Sequence, residues 1–343
     1  MYDKKMSGSL AQTARDLVAP GKGILAADES FSTIKKRFRA VGIESSEENR
    51  RAFRELLFTS HDIEKYISGV ILFDETIYQE TENGIPFNKL IRDKGMILGI
   101  KVDQGKVSAS FSPGESVTKG MKGLKERLSG YKNLGAKFSK WRAEFTISDN
   151  LPTRALIEKN ARDLAEFAAV SQSEGFVPVV EPEVLMQGDH DIEKSREVSF
   201  MVLETVFLEL EKHAVKYDSM LLKPSWVHPG FDNPGKPECR KIAQATLSLF
   251  KKILPGDLPG VVFLSGGESP EDATSHLNEL NRVNEVPWQL SFSFGRALQS
   301  PALNIWRGKK ENVSAAQKEF IKRSRLNSLA RQGKYDPSQE DGL

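Results

Sequence analysis

Residues 23–33 read GILAADESFST, and the choice between two α/β architectures turns on them. An apolar run of strand length ends in Asp28 and gives way to polar residues that lead into a helix-like stretch. In a doubly wound open sheet the first strand usually opens onto a G-x-G-x-x-G turn, which lets the backbone approach a pyrophosphate. This segment has no glycine after Gly23. The open sheet therefore lacks its usual fingerprint, and a closed barrel becomes the leading reading.

Working outward, seven more apolar runs have the same form: GVILFDE (69–75), ILGIKVD (97–103), AKFSKWR (136–142), VPVVEPE (177–183), SMLLKP (219–224), GVVFLSGG (260–267) and LSFSFGR (290–296). Between them lie stretches with apolar positions at the helical period, including 153–174, 190–213 and 237–253. In SSEENRRAFRELLFTS (45–60), Ser45 and Glu48 have capping-box spacing, and Phe53, Leu56 and Leu57 share a face. Strand and helix alternate regularly, as in βα units. Eight such units predict an α/β fold, a (β/α)8 TIM barrel.

LAQTARDLVAPG (10–21) has apolar residues at Leu10, Ala14, Leu17 and Val18, so it reads as a leading helix. NVSAAQ (312–317) opens a late helix, with Ser314 and Gln317 at capping-box spacing. The expected organisation is a single barrel domain over residues 1–335 with extra helices at both ends. Residues 336–343 form a short polar tail expected to be loose.

Composition narrows the partners. The 343 residues are 39% hydrophobic and 28% charged, ordinary values for a globular chain with a sizeable core. With 49 Lys and Arg against 47 Asp and Glu, the net charge is +2. Bulk attraction to nucleic acid or to an anionic membrane is not expected, and any anion must be met locally. The single cysteine, Cys239, excludes an intrachain disulfide and a multi-cysteine metal site. MYDKKMSGSL lacks the apolar core of a signal peptide, and no apolar run approaches the roughly 18 residues needed to span a bilayer. The expected location is the cytoplasm.

Chemistry gathers at the strand ends. Asp28, Glu75, Lys101, Asp103, Lys140, Arg142, Glu181, Glu183, Lys223, the Ser265-Gly266-Gly267 turn and the Ser293-Phe294-Gly295-Arg296 turn all close apolar runs. In barrel enzymes that end carries the active site. Side chains alternate along a strand, so Ala26 and Asp28 share a face, as do Lys140 with Arg142 and Glu181 with Glu183.

Any one of these residues has an ordinary structural role available. A lysine can snorkel, an aspartate can cap a helix, and two glutamates can pair with nearby cations. Their joint placement at one end of so many strands favours function. Lys223 closes an apolar run, where an ammonium is costly to bury. Crowded by Lys140, Arg142 and Lys101, its amine is expected to shed a proton and attack a carbonyl, forming a Schiff base that acts as an electron sink. Glu181 is placed to shuttle protons, and Asp28 to accept one from a substrate hydroxyl. The turns after the seventh and eighth strands stand where barrels commonly hold a phosphate. Ser30, Thr33 and Arg37 suggest a second anion site at a helix start. Two phosphate sites around one lysine imply a small substrate phosphorylated at both ends.

These residues resemble a known family. GILAADES, EENRRAFRELL, GVILFDETIYQ, GIKVDQG, KWR, VPVVEPEVL, LLKPS, FLSGG and FSFGRALQ stand in the order found in class I fructose-bisphosphate aldolases, over roughly residues 10–335. The resemblance implies cleavage of fructose 1,6-bisphosphate to dihydroxyacetone phosphate and glyceraldehyde 3-phosphate, in glycolysis and gluconeogenesis. It further implies no metal, no cofactor and usually a homotetramer. Lys223 looks like the Schiff-base lysine and Glu181 the residue that moves protons during its formation, with Glu183 in the same network. Asp28 is similar to the residue assigned to C3–C4 cleavage, while Lys140 and Arg142 match residues that hold charge and substrate. Ser265, Gly266, Gly267, Ser293, Gly295 and Arg296 match the C1-phosphate site, and Ser30, Thr33, Arg37 and Lys101 surround the other phosphate.

Three departures stand out. Thr33 replaces a common serine and retains the hydroxyl, and Phe294 replaces a common tyrosine. The sequence ends GKYDPSQEDGL, without the terminal tyrosine that many members use in proton transfer, so turnover or substrate preference is expected to differ. Within enzymes, the alternatives are a lysine-dependent aldolase for another phosphorylated ketose and a zinc-dependent one. The latter needs clustered histidines, and His61, His190, His213, His228 and His276 are scattered in sequence. A catalytically idle scaffold on the same fold is the alternative from outside enzymes.

Overall fold

Short, mostly apolar runs joined by amphipathic helices can bury both faces of every strand only if the sheet is covered outside and filled inside. The computed structural model describes residues 2–235, 237–283 and 285–341, with side chains from residue 9 onward. Its strands are β1 (Gly23–Ala27), β2 (Ile67–Leu72), β3 (Ile97–Lys101), β4 (Lys106–Ser108), β5 (Ser116–Thr118), β6 (Phe138–Phe145), β7 (Val177–Val184), β8 (Leu221–Leu222), β9 (Gly260–Phe263) and β10 (Gln289–Phe294). Eight of them close into a parallel barrel in the order β1-β10-β9-β8-β7-β6-β3-β2. All eight coincide with the apolar runs read from the sequence. The exception to the barrel is an antiparallel hairpin of β4 and β5, in the loop after β3.

The register decides what reaches the mouth. β6 and β7 pair over eight positions, from Phe138 opposite Val177 to Phe145 opposite Val184. Lys101 of β3 lies beside Lys140, and Arg142 beside Glu181. Paired residues of parallel strands face the same way, so an apolar layer is followed by a charged one. The apolar layer comprises Ile24, Ala26, Ile71, Phe138, Val177, Val179, Leu221 and Val262, all buried. Burying each large apolar side chain stabilises the fold by about 1.5–3 kcal/mol. Gly99 makes room there, since a Cβ on it would lie 2.3 Å from the Phe138 ring.

The leading helix, Tyr2–Leu17, closes the opposite end of the barrel. Leu10, Ala14, Leu17 and Val18 join the interior cluster, the four positions its periodicity marked. No helix among the described residues is long and apolar enough to cross a membrane.

Local details differ from expectation in three places. The helix Glu47–Phe58 is capped by Ser46, which accepts from the Asn49 amide at 3.2 Å, so the cap lies one residue beyond Ser45. Ser314 lies inside the helix Val313–Ala330, which a 3-10 turn over Lys310–Asn312 leads into directly. Gln317 is freed from capping and donates instead to the Leu56 carbonyl and the Thr59 hydroxyl, both at 3.0 Å. The described part of the polar tail, residues 336–341, is held rather than loose. Asp336 caps a turn over Pro337–Glu340, and Glu340 pairs with buried Arg323 at 2.5 Å.

Candidate active site

Alternation along β6, β7 and the extension of β8 brings three charged side chains into one layer. Lys140 bridges Asp28 at 2.8 Å and Glu181 at 2.9 Å. Lys223, just beyond β8, meets the other oxygen of Glu181 at 3.0 Å. Its backbone amide continues the ladder, donating to the Val180 carbonyl at 2.8 Å. Asp28, Lys140, Glu181 and Lys223 are each at most 9% exposed. The sequence reading crowded Lys223 with cations, but its immediate neighbour is a carboxylate, and Lys140 lies on the far side of that carboxylate.

The charges hold one another in place. Burial raises the Asp28 carboxyl, but Lys140 and Lys223 outweigh it and hold the group well below the usual carboxylate range. Glu181 is also lowered, burial being overcome by Lys140, Lys223 and Arg142. Lys140 moves the other way, with burial outweighed by Asp28 and Glu181, so it stays charged. The result is two ionised carboxylates within reach of two amines in a water-poor layer, an arrangement suited to moving protons.

This cluster forms the floor of a cleft of about 1010 Å³. Around its rim, Lys101 binds its own strand end through the Asp103 carboxylate at 2.5 Å. Arg142 is clamped by Glu183 and Glu144, which raise its already high affinity for a proton against the effect of burial. Ser30 is the N-cap of the helix Phe31–Ala40, but its hydroxyl makes no capping bond and lies 3.1 Å from that of Thr33. Arg296 begins the helix Arg296–Trp306, and burial together with nearby Arg37 lowers its proton affinity. The two guanidiniums repel unless an anion joins them.

Fifteen of the sixteen residues to which the resemblance assigned catalytic or phosphate-binding roles line this cleft: Asp28, Ser30, Thr33, Arg37, Lys101, Lys140, Arg142, Glu181, Glu183, Lys223, Ser265, Gly266, Ser293, Gly295 and Arg296. Gly267 stands behind Arg296, where a Cβ would lie 2.9 Å from the guanidinium. Gly266 adopts a φ of +54°, which favours glycine, and a Cβ there would meet the Met186 methyl, the far end of a flexible side chain. Ser293 Oγ is buried without a hydrogen-bond partner, open to a ligand oxygen. Phe294 packs against Trp226 and Phe292 outside the cleft, so the missing tyrosine hydroxyl does not face it. Glu75 also lies outside, paired with Arg50.

Sequence reasoning missed Glu29. Its buried carboxylate bridges Arg37 and Arg54 and accepts from Gln299 at 3.0 Å, fixing Arg37 at the rim. The signal was an acid one residue past Asp28, where alternation turns it away from the lysines. Lys106 of the hairpin was missed as well, because three-residue strands leave no readable period. It lines the cleft and pairs with Glu144.

Comparison with known proteins gives this geometry a family. A family model described as fructose-bisphosphate aldolase class-I matches residues 9–343. The chain is 48% identical to human fructose-bisphosphate aldolase C over 335 residues, 97% of this chain and 92% of that one. It is 49% identical to a probable fructose-bisphosphate aldolase class 1 of Xanthomonas campestris pv. campestris, covering 95% and 98%. Among solved structures, fructose-bisphosphate aldolase from Plasmodium falciparum, crystallised with TRAP and a small-molecule inhibitor, superposes with a TM-score of 0.95 at 44% identity, covering 97% and 96%. With the fold, the lysine and carboxylate cluster and these matches in agreement, the chain belongs to the class-I fructose-bisphosphate aldolase family.

Proposed function

We propose that Lys223 is the residue through which this aldolase cleaves fructose 1,6-bisphosphate. The supporting observation is the unbroken series of contacts from Lys223 to Glu181, Lys140 and Asp28 on the floor of the cleft. Glu181 takes a proton from the Lys223 nitrogen across their contact, and the amine attacks the C2 ketone carbon as the C=O π pair moves to oxygen, which takes a proton from the attacking nitrogen to give the neutral carbinolamine. Glu181 then returns the proton to the carbinolamine hydroxyl, which leaves as water and yields an iminium. Asp28 takes the proton of the C4 hydroxyl. The C3–C4 bond breaks, its electron pair forms a C2=C3 bond as the C=N pair moves to nitrogen, and glyceraldehyde 3-phosphate departs. Protonation of the remaining enamine at C3 and hydrolysis of the iminium release dihydroxyacetone phosphate.

Lys140 keeps both carboxylates ionised between steps, and Glu183 holds Arg142 toward the substrate. Ser265, Gly266, Gly267, Ser293, Gly295 and Arg296 receive the C1 phosphate, and Ser30, Thr33, Arg37 and Lys101 the C6 phosphate. Residues 1–335 are the catalytic unit and 336–343 an appended tail, in a cytoplasmic homotetramer. Comparing kcat/KM for fructose 1,6-bisphosphate, fructose 1-phosphate and sedoheptulose 1,7-bisphosphate tests the two-phosphate reading. Both bisphosphates should be favoured over the monophosphate. Equal values would remove the second phosphate site and favour another ketose as substrate.

A further inference from the structure

Behind the Ser265-Gly266-Gly267 turn, outside the cleft, two histidines distant in sequence meet a buried glutamate. His228 follows β8, Glu268 follows the glycines, and His276 lies on the helix Pro270–Arg282. Their nearest ligand atoms all lie within 4.8 Å of one another. His276 Nδ1 is 2.8 Å from Glu268 Oε1, and His228 Nε2 is 3.6 Å from the same oxygen. The side chains of Glu268 and His276 are 3% and 6% exposed.

The orientation of these groups is more telling than their proximity. Glu268 Oε1 and His276 Nδ1 are buried atoms that face each other at 2.8 Å as an ion pair. The second oxygen of Glu268 is occupied, accepting from Trp226 Nε1 at 2.7 Å. The second nitrogen of His228 is occupied too, since Nδ1 lies 2.5 Å from the Pro229 carbonyl. A carbonyl only accepts, so Nδ1 carries the proton and Nε2 presents a lone pair. Metal-binding histidines are commonly oriented this way, with one ring nitrogen anchored to a carbonyl and the other free for the ion.

We propose that His228 Nε2, Glu268 Oε1 and His276 Nδ1 form a binding site for a divalent transition-metal ion of the zinc class, distinct from the Schiff-base centre. Two histidines and a glutamate are a donor set zinc accepts, with a fourth position left to water. Ligands at about 2.0–2.2 Å from the ion lie roughly 3.3–3.6 Å from one another in a tetrahedron. The His228–Glu268 contact already has that spacing, the His276–Glu268 contact reaches it by opening about half an ångström, and the two histidine nitrogens, within 4.8 Å of each other, must close by about an ångström. The site is coupled to the phosphate turn through the chain. The Glu268 amide donates to the Ser265 carbonyl at 3.0 Å, and Gly267 donates to the same carbonyl at 2.6 Å. An ion held by Glu268 therefore stiffens the loop assigned to the C1 phosphate.

The test is titration of the purified full-length protein with CoCl2, read by visible absorption, and with ZnCl2, read by calorimetry. We expect one Co²⁺ per chain with the intense bands of a four-coordinate ion, bleached by an equivalent of Zn²⁺. His228→Asn and His276→Gln should each weaken binding by about 100-fold. Zn²⁺ should raise the melting temperature of the parent but not of the double variant, which separates lost binding from lost folding. No stoichiometric binding by the parent would show that the cluster is an ion pair only and overturn the proposal. Binding of equal strength by a folded double variant would place the ion elsewhere and overturn it too. Aldolase activity is not the readout, so this test is separate from that of Lys223.

Discussion

Replacing Lys140 with methionine keeps the side-chain length and removes one charge from a site where two carboxylates depend on it. Asp28 and Glu181 contact the Lys140 ammonium at 2.8 and 2.9 Å in a buried layer at the cleft floor. Removing one partner from a buried ion pair costs about 3–5 kcal/mol. A second route gives a similar figure, because the variant can relieve the repulsion by protonating a carboxylate. At pH 7, three units above an ordinary carboxylate value near 4, this costs about 4 kcal/mol at 1.36 per unit. The sign with pH follows. In the parent both carboxyls are lowered, so their stabilising contribution is complete above about pH 4 and is lost as pH falls through the folded-state values. In the variant at least one carboxyl is raised, so the deficit is largest at neutral pH and shrinks toward pH 5. Urea unfolding of parent and Lys140→Met at pH 7.5 and 5.0 measures both quantities. A deficit below about 1 kcal/mol at pH 7.5, or one unchanged at pH 5.0, would refute the reasoning.

Glu181→Gln preserves shape and removes the proton acceptor beside Lys223, so single-turnover Schiff-base formation should slow by about 10²–10⁴-fold, whereas a change below threefold would free Glu181 from that role. Arg296→Ala leaves Arg37 and the lysines in place and should raise KM for fructose 1,6-bisphosphate by about tenfold or more, the loss of one charge-assisted contact; an unchanged KM would place the phosphate elsewhere. Gly266→Ala forces a side chain into a left-handed φ and should cost about 1–3 kcal/mol of stability as well as substrate affinity. A variant with parental melting temperature and KM would mean the turn adapts freely.

Much of this site was legible because a barrel translates local patterns directly into position. Period-two alternation placed Lys140 with Arg142 and Glu181 with Glu183, and strand ends share one face of the barrel by construction. The leading helix was readable down to Leu10, Ala14, Leu17 and Val18 for the same reason, one apolar stripe meeting one opening. What the sequence hid was contact between elements far apart in the chain. It carries no sign that Lys223 rests against Glu181 rather than among cations, since that depends on register across β7 and β8. Nor does it show that His228 and His276, 48 positions apart, turn toward one glutamate. The cap at Ser46 was missed by one residue because two serines in a row offer the same chemistry.

The most direct measurement is chemical trapping of the covalent intermediate. Incubation with dihydroxyacetone phosphate, reduction with borohydride and peptide mass analysis should place one adduct per chain on Lys223, and Lys223→Met should form none and cleave no fructose 1,6-bisphosphate. An adduct on Lys140 or Lys101 instead, or undiminished cleavage by Lys223→Met, would contradict the account.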